Sequence, residues 1–73
     1  MKTFVTIIFN SEGEKPSVIE SRLFGIGLQA MQGQYDFFYE WEKEPSIDDV
    51  MMLIDRIQAE LNDTKVLFSV ETI

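Results

Sequence analysis

The sequence predicts one small α+β domain in the order βαββαβ. Three observations carry the prediction: a β-branched and aromatic run near the start, two later segments that open on the same Pro-Ser pair, and an apolar period of two between them. With 73 residues the chain has room for a single core, so residues 1–73 are read as one domain. A chain this short buries only about 60% of its unfolded surface, and self-association is expected.

Thr3 to Phe9 are almost all β-branched or aromatic and end at the turn-forming Asn10-Ser11-Glu12-Gly13. This is read as a central first strand with Val5, Ile7 and Phe9 inward. Ser17 then stands three residues before Glu20, the spacing of a capping box, in which each side chain satisfies the other's free backbone N–H. A first helix is expected from about Val18.

Two readings of the next segment compete. Leu23, Ile26 and Ala30 follow Ile19 at helical spacing, which gives a long helix over 18–32, the order βαβαβ and a three-stranded sheet. That helix would set Phe24, Leu28 and Met31 opposite its apolar stripe, and Gly25 and Gly27 would each cost about 1 kcal/mol in its interior. Period two does better, with Phe24, Ile26, Leu28 and Ala30 on one face. A two-residue turn at Gln32-Gly33 would then oppose Ala30 to Tyr35, Leu28 to Phe37, Ile26 to Tyr39 and Phe24 to Trp41, apolar on both sides. The hairpin is preferred.

Pro45-Ser46 repeats Pro16-Ser17 29 positions later, with Asp49 three residues after the serine. A second helix is expected from Ile47, its stripe formed by Ile47, Val50, Met51, Ile54, Ile57 and Leu61. Asn62-Asp63 closes it. Lys65 to Thr72 reads as the last strand, with Val66, Phe68 and Val70 inward. The resulting order is the split-βαβ arrangement, a ferredoxin-like four-stranded antiparallel sheet with two helices on one face. The Pro-Ser echo hints at duplication, but two helices that each follow a strand also need the same start signal.

Composition closes many functions. Without cysteine there are no disulfides or thiolate metal sites, and without histidine the commonest general base and metal ligand are missing. No catalytic residue, cofactor or metal is expected, and the chain is read as a non-enzyme. The apolar run after Lys2 falls short of the 7 to 15 or so apolar residues of a signal peptide, and nothing approaches the roughly 20 needed to span a bilayer. A cytoplasmic location is expected. Thirteen acidic against six basic residues give a net charge of −7, which disfavours nucleic acid and anionic membranes. Phe24-Gly25-Ile26-Gly27 lacks the third glycine and the Lys-Ser/Thr of a phosphate loop. The aromatics Tyr35, Phe37, Tyr39 and Trp41 are expected on the core face, away from any base-stacking role.

Two surfaces remain as candidates. Phe4, Ile8, Phe38 and Leu67 should lie together on the uncovered sheet face, and an exposed apolar patch on a small protein marks an interaction surface. Asp36, Glu40, Glu42, Glu44, Asp48 and Asp49 put six carboxylates within fourteen positions. The leading reading is a binding or assembly module that pairs with itself through the open face, an arrangement compatible with a small ligand at the seam. The alternative is an acidic inhibitor, or nucleic-acid mimic, that offers its carboxylates to a basic groove on another protein.

Overall fold

The computed structural model describes residues 1–73. The elements are β1 (Lys2–Ile8), α1 (Pro16–Gly25), β2 (Gln29–Ala30), β3 (Phe37–Glu40), α2 (Ile47–Leu61) and β4 (Leu67–Thr72). They form one four-stranded sheet in the order β2-β3-β1-β4, with every pairing antiparallel. β3 thus lies between the strands of the first βαβ unit and β1 between those of the second, the ferredoxin-like interleaving expected from the sequence. No helix is long and apolar enough to cross a membrane.

The core lies between one sheet face and both helices. Alternation along β1 buries Thr3, Val5 and Ile7; Val5 and Ile7 form the core with Phe37 of β3, Ile19 and Leu23 of α1, Leu28 just past it, and Leu53, Ile57 and Leu61 of α2. Val66, Phe68 and Val70 are half-buried against it, as expected for the last strand. The buried hydroxyl of Thr3 accepts from Trp41 Nε1 at 2.8 Å and contacts the Thr72 hydroxyl at 2.9 Å. A polar group in the core therefore keeps its hydrogen bonds. Phe9, expected inward, lies past the end of β1 and is exposed.

The segment after α1 corrects both readings of the sequence. α1 ends at Gly25, which excludes the helix over 18–32 and its three-stranded sheet, yet it includes Phe24, assigned above to a strand. The stop is a Schellman motif: Gly27 N–H donates to Phe24 O at 3.0 Å and Leu28 N–H to Leu23 O at 3.1 Å. Leu23 and Leu28 are both buried and supply the apolar contact that accompanies it. Gly27 sits at φ +96, where other residues are strained, and a Cβ there would press on the Tyr39 ring at 3.1 Å.

β2 consequently keeps two residues, with Gln29 opposite Phe38 and Ala30 opposite Phe37. The Gln32-Gly33 turn is not formed. Met31 N–H donates to Asp36 O at 3.0 Å, which closes a longer loop and moves the pairing by two residues from the expected one.

The two helix starts also differ. Ser46 caps α2 in the predicted capping box with Asp49. At α1 no box forms between Ser17 and Glu20: Lys15 is the N-cap and Pro16 takes the first turn, where its fixed φ suits the helix. The repeated Pro-Ser pair therefore occupies different cap positions, which removes its support for a duplicated half. On α2 the buried face runs through Leu53, Ile57 and Leu61, while Ile47 and Met51 are exposed at 69% and 50%.

Candidate functional site

β1, β3 and β4 bring the predicted surface residues together on the face away from the helices. Phe4 stands opposite Phe38 and Ile8 opposite Leu67. Ile8 and Leu67 are 62% and 68% exposed, and the two phenylalanines are half-buried. Thr6 and Ser69, also opposite one another, separate an aromatic half from an aliphatic half.

Tyr35 completes the aromatic half. Its ring stacks on Phe4 with centroids 4.5 Å apart and planes at 22°, and its hydroxyl donates to the Glu71 carboxylate. That bond, with some desolvation, raises the tyrosine pKa above its ordinary value. Lys2 Nζ lies 5.1 Å from the Phe38 centroid and 3.8 Å from Glu40, an arrangement that favours the cation over the ring.

Tyr35 lies on the open face, against Phe4, and not on the core face where a period of two places it. The reason it faces outward is Asp36. The Asp36 carboxylate accepts from Ile7 N–H at 2.7 Å, and its own N–H donates to Val5 O at 3.0 Å. A side chain thus continues the β1 ladder where β3 has not yet begun, which frees Tyr35 from the strand alternation. Aspartate is a turn-forming residue, but nothing local to Asp36 says that its carboxylate reaches Ile7 across the sheet.

The six carboxylates do not converge. Asp36 is half-buried in the ladder, Glu40 sits by Lys2 on the open face, and Asp49 accepts from Ser46 N–H at 2.9 Å while its N–H donates to Ser46 Oγ at 3.0 Å. Glu42, Glu44 and Asp48 are exposed. No group of acidic residues is placed to hold a metal ion. Beside Trp41 a cleft of about 170 Å³ is walled by Tyr39, Met52 and Arg56, but no buried side-chain N or O is left without a partner to mark a ligand position.

Two acids are tuned structurally. Backbone and side-chain hydrogen bonds from Ser46 hold the Asp49 carboxyl below its usual range, and the Arg22 guanidinium does the same for Asp63 at 2.8 Å. Arg22 also donates to Glu60 O at 2.9 Å, a cation placed on the carbonyl end of α2. Depressed acids stabilise the fold above the unfolded carboxylate value of about 3.9 and lose that contribution as pH falls through their folded values. Urea midpoints should therefore drop as pH falls below about 4, and Asp63→Asn should reduce the size of the drop; an unchanged pH profile in the variant would refute the assignment.

Comparison with protein-family models, with curated proteins and with solved structures finds no match for this chain.

Proposed function

We propose that the protein is a non-catalytic binding and assembly module that pairs with a second copy through the open sheet face. The observation that carries this reading is the adjacency of Phe4, Tyr35 and Phe38 with Ile8 and Leu67 on one uncovered surface. Helices cover the other face, so this is the face left to a partner. Its charges are Lys2, Glu40 and Glu71, a net of −1 out of the chain's −7. Most acidic groups lie elsewhere, which lets two like-charged copies approach here without strong repulsion.

Light scattering tests it. Phe38→Glu should halve the mass of the assembly while leaving the far-ultraviolet circular dichroism spectrum unchanged. If it unfolds the chain instead, Leu67→Lys at a 68% exposed site replaces it as the test. Unchanged mass in a folded variant ends the proposal.

A second reading rests on Glu42, Glu44 and Asp48, three exposed carboxylates in the approach to α2 and its first turn, with only Lys43 among them. It makes the chain an acidic ligand for a basic protein groove. Capture of a basic partner that vanishes between about 50 and 300 mM salt, with the chain monomeric throughout, would favour it over the first.

A further inference from the structure

The two edges of the sheet are built differently. β2 ends it with two residues, which offer almost nothing to a further strand. β4 runs for six residues, pairs with β1 along its whole length and contains no proline. Its outer side has no neighbour. Short strands, bulges, prolines and charged side chains are how sheet edges are protected, and within Leu67–Thr72 Glu71 is the one such device.

Hydrogen bonding shows which groups are free. Lys2 and Ile73 exchange both backbone bonds, at 3.1 and 3.0 Å. In an antiparallel ladder such pairs alternate, so Glu71, Ser69 and Leu67 also bond to β1. The N–H and C=O groups of Phe68, Val70 and Thr72 therefore point away from the sheet, toward the open edge.

Polar and apolar side chains together border that edge. Gln58 and Leu61 of α2 and Asn62 just past its end frame, with Val66, Leu67 and Phe68, a cavity of about 270 Å³ alongside it. At roughly 100° per residue, Ile47, Met51, Ile54 and Gln58 form one stripe of α2. Since Gln58 lines the cavity, the exposed Ile47 and Met51 lie on the β4 side of the helix.

We propose that β4 pairs antiparallel with β4 of a second copy, about a twofold axis, and joins two sheets into one. Charge selects this occupant. Residues 64–73 hold one lysine and one glutamate, so they are net neutral and the entire −7 lies in residues 1–63. Antiparallel pairing of two identical segments sets the Lys65 end of each copy beside the Glu71 end of the other, twice over. A foreign basic strand would find little acidic charge here. With Phe68 opposite Val70, the half-buried side chains of both copies meet on the helix side and about four main-chain hydrogen bonds form. This interface is separate from the sheet face and does not depend on it.

Hydrogen exchange on the whole chain tests the proposal. Amides of Phe68, Val70 and Thr72 should exchange at least about tenfold more slowly at 1 mM than at 10 µM protein. Phe38→Glu, which acts on the open face, should leave that protection in place. Val70→Pro removes an outward N–H and no bond to β1, and should halve the mass of the Phe38→Glu protein to that of a monomer. If the three amides exchange at the same rate at both concentrations, or lose protection in Phe38→Glu, the proposal is overturned. Should Val70→Pro fail to fold, the exchange measurement decides alone.

Discussion

Ile57→Ala should lower stability by about 3 to 4 kcal/mol and the melting temperature by roughly 12 °C or more. Ile57 is 0% exposed and lies in the core cluster shared by both helices and the sheet. Removing three side-chain carbons there loses their transfer energy and leaves a cavity that close-packed neighbours fill only in part. Total stability for a chain of 73 residues is of the order of 4 to 11 kcal/mol, so the variant should stand near the edge of unfolding. Ile47→Ala supplies the contrast. The residue type and helix are the same, but at 69% exposure its loss should fall within about 0.5 kcal/mol. Urea denaturation of both variants checks the pair, and equal losses would mean that the inward face of α2 has been misassigned.

Gly13→Ala should cost about 2 to 3 kcal/mol, a large effect for one added methyl group. A Cβ at Gly13 would lie 2.3 Å from Thr64 O, a distance no real contact tolerates. The same oxygen accepts from Glu14 N–H at 3.1 Å. Relief of the clash must push the loop after β1 away from the loop after α2, and that hydrogen bond goes with it. Thr64 cannot yield easily: it is 0% exposed, and its N–H and hydroxyl both bond to Leu61 O, at 3.1 and 2.7 Å. Thermal melts of Gly13→Ala and Gly13→Ser should drop together; wild-type stability in either would show that the two loops are not locked.

The legible parts of the sequence were those where one signal acts alone. The capping box at Ser46 and Asp49 placed α2 correctly, with Pro45 just outside the helix. The alternation Thr3-Val5-Ile7 fixed the buried face of β1, and with it the exposed side of Phe4, Ile8, Phe38 and Leu67. Misreadings arose where two signals compete. Pro16 at the first helical turn overrode the Ser17 and Glu20 spacing. Gly25 and Gly27 were charged against a helix interior, although one is the last helical residue and the other lies past the end. α2 carries apolar residues over more than half its circumference, so its sequence alone does not say whether Ile47 and Met51 or Leu53 turn inward. Tyr35 needed knowledge of the Asp36 side chain, a contact between residues 29 positions apart, which no local pattern encodes.

The central position of β1 has a consequence in time. One of its neighbours, β4, begins at Leu67, so during synthesis at about 5 to 20 residues per second β1 waits several seconds for that partner. Through that interval the run from Phe4 to Phe9, β-prone and without charge or proline, carries the composition of an aggregating segment. The chain is thus most exposed to misassembly while it is being made, and conditions that slow translation between β3 and β4 should lower its yield without altering the stability of the folded product.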